Sequence, residues 1–370
     1  MTPLTLSLFS TLVLLPAQGA TPQAAPARQD GALTQEALIA QAAELVLALA
    51  DEDRFSGTLL IAKGERVVLE MAVGEASKRF HVPNDIDTKF NLGSMNKMFT
   101  SVSIAQLIEK GLVAFEDPLS KYIDESWLPR EITDKVTVKH LLTHTSGLGS
   151  YFNETYMTSS RALFRAVDDY KPLVRGETLA FEPGQRFQYS NTGMLLLGAV
   201  IESATGQDYF DYVREHIYAP AGMVNSDSYE MDQPVENLAI GYGPDHDSAQ
   251  GWRNNLYSHV IRGGPAGGGF STVRDLHRFA LALLGGKLAS VSSLDELWKD
   301  QIQANYGCGF SVEQTDAGKV VGHGGGFTGI SSNLDILIDK GWVVAVMSNY
   351  SGAASGVARR VRELVERTAD

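Results

Sequence analysis

The chain has 370 residues, 44% of them hydrophobic, and a formal net charge of -13 at pH 7. This length and composition predict a globular protein with a real core, in one large domain or two ordinary ones. The acidic balance argues against nucleic acid and anionic membrane surfaces as partners, because both are bound through basic patches. Cys308 is the single cysteine, which excludes an intrachain disulfide and a cysteine cluster for a metal.

The first 27 residues predict a signal peptide. They contain no charged residue, and residues 4–15 form an apolar run that is too short to span a bilayer. Small residues at 17–19 and 25–27 both fit a cleavage site, although the usual basic start is missing. A disordered apolar tail is the alternative. We therefore expect a secreted or periplasmic protein, with a disordered leader at residues 28–33 and a single domain over residues 34–370.

The two ends of that domain share a pattern of strands and helices. A helix capped by Thr34 is followed by two strands, at 55–62 and 66–73, joined in a hairpin. The last third predicts a helix at 273–284, strands at 306–312, 319–322, 334–338 and 342–348, and a closing helix near 357–365.

The middle of the chain, about residues 94–260, predicts a helical lobe with long connections. Its helices are expected at 138–144, 161–167, 194–204 and 209–217, and residues 225–262 are irregular. Strands at both ends with a helical middle indicate a mixed α/β chain of the α+β class. One antiparallel sheet is assembled from the two termini and flanked by the N- and C-terminal helices.

Ser94 and Lys97 form an S-x-x-K pair at the predicted start of an amphipathic helix that ends near Gly111. Three residues are nearly one helical turn, so the two side chains share a face. An amine in a dry pocket can take the proton of a serine hydroxyl and make it a nucleophile. A helix-start serine near a solvated lysine is the simpler alternative.

The motif Y-x-N occurs at Tyr151 and again at Tyr189. Only Tyr189 has a rigid setting, between a turn at 182–184 and a helix that begins at once. Beside Lys97, Tyr189 would shuttle a proton and Asn191 would hold both the lysine and a substrate amide. A half-buried core tyrosine is the alternative for Tyr189, and Tyr151 is interpreted as structural.

A glycine-rich segment, His323, Gly324, Gly325 and Gly326, follows a predicted strand and enters a turn. Glycines let an extended substrate approach the backbone, and an exposed N–H would face a developing oxyanion. The alternative is a flexible hairpin with a surface histidine.

Two further patterns indicate structure and not chemistry. His140 and His144 have the spacing of a helical zinc pair, but no acidic residue lies between them. Cys308 lies in a predicted buried strand, where cysteine behaves as a small apolar residue. No metal site and no cofactor are predicted.

In the order S-x-x-K, Y-x-N, H-G-G, the chain resembles the penicillin-recognising serine hydrolases. The relevant branch holds class C β-lactamases, D-alanyl-D-alanine carboxypeptidases, D-aminopeptidases and related esterases. The likeness runs from about residue 35 to the end, with supporting stretches at 141–148, 183–184 and 267–272.

The resemblance implies a role for each motif residue. Ser94 would be the acylated nucleophile, and the coupled pair Lys97 and Tyr189 would share the base role. Asn191 would position the substrate, and the N–H groups of Ser94 and Gly326 would form the oxyanion hole.

His323 would stand where many β-lactamases carry the lysine of K-T-G. Histidine is not charged at every physiological pH, so recognition of a substrate carboxylate there should be weaker or pH-dependent. Efficient β-lactamase activity is therefore in doubt.

The sequence thus predicts an exported acyl-serine hydrolase acting on an amide, a D-amino-acid peptide, a β-lactam or an ester. The alternative is a penicillin-binding or sensor protein with slow turnover, or a catalytically silent relative. The partner is a small-molecule or peptide substrate, with no nucleic acid and no stable membrane insertion, and the oligomeric state stays open.

Overall fold

A computed structural model describes residues 32–369, so the predicted signal peptide lies outside the described residues. The main sheet has six strands, which are β1 (Gly57–Lys63), β2 (Arg66–Val73), β3 (Ser311–Thr315), β4 (Gly318–Phe327), β5 (Ile330–Leu337) and β6 (Trp342–Ser348). It is antiparallel throughout, in the order β2-β1-β6-β5-β4-β3. Three short ladders pair Glu75–Ser77 with Val82–Pro83, Phe90–Asn91 with Phe270–Ser271, and Tyr242–Pro244 with Trp252–Asn254.

The helices fall into a long and a short class. Among residues 32–369, none is long and apolar enough to cross a membrane. The helices of more than ten residues are α1 (Gln35–Asp51), α2 (Asn96–Glu109), α3 (Asn191–Thr205), α4 (Val273–Leu284) and α5 (Ala353–Glu366). The shorter α-helices are Arg130–Thr133, Val138–Leu142, Glu154–Thr158, Lys171–Val174, Tyr209–Val213, Ala219–Ala221 and Val291–Leu297. The 3-10 segments are Gly93–Met95, Leu119–Lys121, Arg161–Leu163 and Val167–Tyr170, and Arg214–Tyr218 is a π-helix.

The sheet is covered on both faces. Leu59 and Ile61 of β1 pack into a cluster with α1 and α5, whereas Leu60 and Ala62 pack into a second, larger cluster that contains α2. A strand buried on both faces reads as a continuous apolar run. This explains why residues 342–348 are almost wholly hydrophobic.

The predicted sheet assembled from the two termini is confirmed. β1 pairs with β6 over its whole length, Gly57 opposite Ser348 and Lys63 opposite Trp342. The Thr34 cap is also present, because its side-chain oxygen accepts the N–H of Ala37 at 3.2 Å.

The helix predicted at 161–167 is wrong. The chain forms two 3-10 turns there, because the carboxylate of Asp169 accepts the N–H groups of Arg165 and Ala166 at 2.9 and 2.7 Å and starts a new turn. A side-chain acceptor thereby replaces the carbonyls that would have continued the first turn.

The strand predicted at 306–312 begins only at Ser311. Gly309 has φ +69°, and a Cβ there would lie 1.9 Å from Oγ of Ser101 in α2. The chain therefore bends before it enters the sheet. Cys308 is fully buried, as predicted, but it lies in this bend and not in a strand.

The strand predicted at 319–322 ends later than expected, because β4 continues through the glycines to Phe327. His323 pairs with Leu334 and Gly326 with Ser331, and the turn comes at residues 328–329. A run of glycines allowed a turn, but the long ladder with β5 holds it extended.

Candidate active site

Ser94 lies in the 3-10 turn Gly93–Met95, just ahead of α2. Gly93 has φ +51°, and a Cβ on it would lie 2.9 Å from the backbone nitrogen of Gly326. A Cβ on Gly325 would lie 2.0 Å from the carbonyl oxygen of Leu92. The two glycines therefore let the serine turn lie directly against β4.

The helix behind Ser94 is buried on all sides, so the predicted amphipathic helix is wrong in that respect. Most of its polar side chains find partners inside the protein, although the buried hydroxyl of Ser101 has none among residues 32–369. The hydroxyl of Thr100 lies 2.7 Å from that of Tyr209 and donates to the carbonyl of Pro265 at 2.9 Å. Such satisfied groups can be buried without the cost of an orphaned donor. As predicted, the helix ends just before Gly111, which has φ +69°.

Lys97 is fully buried, and its Nζ meets three oxygens. These are Oγ of Ser94 at 3.1 Å, Oδ1 of Asn191 at 2.9 Å and the carbonyl of Ala266. Burial lowers the pKa of this amine from 10.5 to about 7. A neutral amine donates two hydrogen bonds and accepts one. When neutral, Lys97 can donate to Asn191 and Ala266 and accept a hydrogen bond from the Ser94 hydroxyl.

Tyr189 is hydrogen-bonded to Ser94, and its ring centre lies 4.8 Å from Nζ of Lys97. Burial raises the pKa of its phenol to about 12, and the bond to Ser94 offsets this only in part. The residue is 39% exposed, because it lines the cleft while its hydroxyl faces the serine. At physiological pH the phenol keeps its proton, which favours Lys97 as the base that activates Ser94.

Asn191 is the first residue of α3, as the sequence predicted for the segment after Tyr189. The Ser190 hydroxyl caps this helix by accepting the N–H of Gly193 at 2.8 Å. The Asn191 amide donates to Oγ of Ser150 at 3.3 Å and accepts from Lys97 through its oxygen. These two bonds fix which end of the amide faces the lysine.

A buried hydrogen-bond chain links this segment to β4. The N–H of Ser190 donates to Nδ1 of His144 at 3.2 Å, so the proton of His144 is on Nε2. That N–H donates to the hydroxyl oxygen of Tyr306 at 3.1 Å, and the hydroxyl donates to Nε2 of His323 at 3.0 Å. Nδ1–H of His323 then donates to the carbonyl of Gly324. One backbone donor thus sets the direction of the whole chain.

His323 is 7% exposed and does not line the cleft. Burial, with a contribution from the charge of Lys97, lowers the pKa of its imidazole to about 3. A histidine that stays neutral above pH 3 offers no cation to a substrate carboxylate at physiological pH. The pH-dependent alternative in the sequence prediction is therefore not supported by the structure.

His144 and Tyr306 were not predicted as site residues. The His144 ring packs 4.4 Å from that of Tyr189, and its φ is +54°. The signal available was its place in the supporting stretch 141–148. His140 has a separate role, because it forms a capping box with Thr137. Within residues 32–369, no three His, Cys, Asp or Glu side chains are grouped to hold a metal.

Ser94 opens on a cleft of about 760 Å³, part of it open to solvent. Ser94, Tyr189, Asn191 and Gly326 all line it, whereas Lys97, Gly324 and Gly325 do not. Four aromatic side chains that sequence reasoning left out of the site also line it: Tyr151, Phe152, Tyr156 and Phe327.

The edge of β4 faces this cleft beyond the last residue that it pairs with β3. That residue is Gly322, so residues 323–327 have no neighbouring strand on the outer side. A Cβ on Gly326 would meet nothing within 4 Å. The backbone of Gly326 is therefore open to a substrate, in the place where the resemblance puts an oxyanion-hole donor.

The sequence and the fold are similar to those of known proteins. The chain is 30% identical over 320 residues to penicillin-binding protein 4* of Bacillus subtilis (strain 168), covering 81% of this chain and 69% of that protein. It spans 62% and 58% of two further curated relatives.

Two solved structures share the architecture. A penicillin-binding protein from Bacillus halodurans superposes with a TM-score of 0.80 at 31% identity, covering 86% of this chain and 98% of that one. A D-amino acid amidase from Ochrobactrum anthropi SV3, complexed with D-phenylalanine, gives 0.73 at 25% identity, covering 89% and 97%. The family model described as Beta-lactamase matches residues 36–367. The chain therefore belongs to the β-lactamase family of penicillin-recognising serine hydrolases, as its motifs predicted.

Proposed function

We propose that this protein hydrolyses amide or ester bonds through an acyl group carried on Ser94. The observation that carries the proposal is the contact of 3.1 Å between Nζ of Lys97 and Oγ of Ser94, at an amine whose pKa is lowered to about 7. About half of such amines are neutral at pH 7, and a neutral amine is a base.

In acylation, the Lys97 amine takes the proton of Ser94 as Oγ bonds to the substrate carbonyl carbon. The negative charge that develops on the carbonyl oxygen is met by the N–H groups of Ser94 and Gly326. When the tetrahedral species collapses, the Tyr189 hydroxyl gives its proton to the leaving nitrogen or oxygen. The ammonium of Lys97 restores that proton to the phenol.

Deacylation reverses these roles. A water enters where the leaving group was, next to the Tyr189 hydroxyl. Its proton passes to Lys97 by way of the phenol while its oxygen attacks the ester carbon. Ser94 then leaves as an alcohol with the proton held by Lys97, so the residues end as they began.

Two substrate classes are supported by the relatives. The D-amino acid amidase and a D-aminopeptidase of Brucella anthropi favour an amide or peptide of a D-amino acid. The similarity to two penicillin-binding proteins favours a second candidate, a protein that is acylated by a β-lactam and turns over slowly.

A substrate panel separates these candidates. Nitrophenyl esters, D-alanyl peptides and a chromogenic cephalosporin are assayed with the wild type and with Ser94→Ala. Turnover of an ester or peptide that the variant lacks supports the hydrolase. A lasting mass adduct from the cephalosporin without turnover supports the slow penicillin-binding protein, and no reaction with any of them contradicts both.

We also propose that the protein acts outside the cytoplasm. Support comes from the uncharged, apolar residues 4–15 and the small residues that follow them. Expression of the full chain in a bacterial host, followed by cell fractionation and N-terminal sequencing, tests this. A protein that keeps Met1 and stays in the cytoplasm contradicts it.

A further inference from the structure

The cleft in front of Ser94 carries no formal charge on its walls. Among the described residues, sixteen line it, and none is Lys, Arg, Asp or Glu. The one histidine among them is His259, whose pKa is lowered by burial and whose Nδ1 lies 2.9 Å from the carbonyl oxygen of Val260. A charged group that entered would lose water and find no counter-charge.

The cationic side chains beside the cleft, Arg161 and Lys97, already bond to other groups of the protein. The guanidinium of Arg161 lies 4.0 Å from the ring centre of Tyr156 and donates to the carbonyls of Tyr156, Ser159 and Ser258. The Lys97 amine faces Ser94, Asn191 and Ala266, as described above. Neither is presented to a carboxylate in the cleft.

The walls are instead aromatic and come from both sides of the cleft. Phe152, from the helical lobe, and Phe327, at the end of β4, stack with their centres 5.9 Å apart and their planes 21° apart. Tyr151 and Tyr156 pack against Phe152 with ring centres at 4.6 and 4.9 Å. A cleft wall made of several aromatic rings favours a flat apolar group over a charged one.

This aromatic wall is held rigidly. Asn153 caps the helix Glu154–Thr158 by accepting the N–H of Tyr156 at 3.1 Å, and its amide donates to the carbonyl of Leu173 at 2.7 Å. The first Y-x-N motif of the sequence thus supports the shape of the cleft and not proton transfer. A preformed apolar surface binds without the cost of ordering it.

We propose that the cleft selects a substrate with a neutral aromatic group next to the scissile carbonyl and disfavours one whose aromatic group carries a carboxylate. This inference rests on the proposed acyl-serine hydrolase. It narrows the substrate class to uncharged arylacyl amides and esters, and away from substrates recognised through a carboxylate.

The test uses 4-nitrophenyl esters that share one leaving group. One isosteric pair, the 4-carbamoylphenylacetyl and 4-carboxyphenylacetyl esters, differs only in charge. A second pair, phenylacetyl and acetyl, differs in the aromatic ring. We expect kcat/KM to be at least about tenfold higher for the carbamoyl than for the carboxyl ester, and for the phenylacetyl than for the acetyl ester.

A designed cation should weaken the preference for the carbamoyl ester over the carboxyl ester. Phe327→Lys places an amine at the half-buried end of β4, and we expect the carbamoyl-to-carboxyl ratio to fall by about tenfold. Phe80→Lys is the matched control, because Phe80 is 67% exposed and does not line the cleft. It should leave the ratio unchanged.

The outcomes are distinguishable. A carboxyl ester hydrolysed as well as its carbamoyl isostere, or an acetyl ester preferred to phenylacetyl, overturns this inference while leaving the hydrolase intact. Turnover of none of these esters, with D-alanyl peptides still hydrolysed, overturns the inference alone, whereas turnover of neither esters nor D-alanyl peptides above the Ser94→Ala background overturns the proposed function as well.

Discussion

Lys97 and His323 are both buried nitrogen bases near the same serine, yet the structure gives them opposite chemistry. The pKa of Lys97 falls to about 7, and that of His323 to about 3. Lys97 faces three oxygens and can satisfy them with or without its extra proton. Both His323 nitrogens are already committed, one as acceptor from Tyr306 and one as donor to Gly324.

A second proton on His323 would sit on Nε2, which now accepts from Tyr306. The hydrogen bonds through Tyr306 and His144 could not simply reverse to accommodate it, because the chain ends at the N–H of Ser190, which can only donate. Burial alone therefore does not make a nitrogen base reactive. Its neighbours must accept both of its protonation states.

The largest expected effect is the loss of the Lys97 amine. Lys97→Met keeps a similar shape and removes the base, so we expect kcat/KM to fall by about a thousandfold or more. Steady-state kinetics measure this, with Lys63→Met, on strand β1, as a matched control. An activity within tenfold of the wild type would show that Lys97 is not the base.

Acidification should have the next largest effect. Because the pKa of Lys97 is lowered to about 7, the protonated and inactive form dominates below it. We expect kcat/KM to fall about tenfold per pH unit below 7 and to level off above it. A profile that is flat between pH 5 and 8 contradicts the assignment.

The lowered pKa of Lys97 also makes the stability of the protein depend on pH. The unfolded chain keeps the lysine protonated up to about 10.5, so it binds more protons than the folded protein between about pH 7 and 10.5. The contribution of Lys97 to the free energy of unfolding therefore rises with pH across that window. Urea titrations of the wild type and Lys97→Met at pH 7 and pH 9 measure this contribution, as the difference between the two proteins in how the free energy of unfolding changes with pH.

Removal of the Tyr189 hydroxyl tests the proton relay. We expect Tyr189→Phe to lower kcat by about a hundredfold, because Ser94 and the leaving group both lose a proton partner. The ring still packs on His144, so the melting temperature should hardly change. Unchanged kcat would remove Tyr189 from the relay.

The hydrogen-bond chain should matter less than the base itself. Tyr306→Phe leaves Nε2 of His144 and of His323 without partners, which costs about 1–3 kcal/mol of unfolding free energy. We expect kcat to drop about tenfold, because Tyr189 and β4 lose a shared support.

Tyr242→Phe is the matched control for that variant. The Tyr242 hydroxyl is buried and finds no hydrogen-bond partner among residues 32–369, so its removal should cost little. If the two variants behave alike in denaturant and in kcat, the chain through Tyr306 has no special role.

The smallest effect is expected at Cys308. Its thiol is buried, which raises its pKa to about 12, so the nucleophilic thiolate is scarce. Cys308→Ala should keep activity within about twofold, and iodoacetamide should not inactivate the native protein. Rapid inactivation of the wild type but not of the variant would contradict this.

The sequence predicted the outer elements well because their patterns are local. The apolar runs of β1 and β6 and the cap of α1 are visible in a few neighbouring residues, and the structure has them where expected. It also predicted Ser94, Lys97, Tyr189 and Asn191 as site residues from their spacing within two short motifs, and the structure brings these four side chains together.

The rest depends on contacts between distant segments. Nothing near His323 indicates that Tyr306 bonds to it and His144 bonds in turn to Tyr306, since these residues are 17 and 179 positions away from His323 by their numbering. Likewise Phe152 and Phe327 meet only because the lobe folds over the edge of β4. Periodicity does not report such pairings.

The proposed mechanism requires Ser94 to carry the acyl group. The measurement is intact-protein mass after rapid acid quench of the reaction with the phenylacetyl ester, followed by peptide mapping. We predict a transient gain of one phenylacetyl group on the peptide that contains Ser94, absent in Ser94→Ala. An adduct on another residue, or turnover by Ser94→Ala at the wild-type rate, would contradict the account.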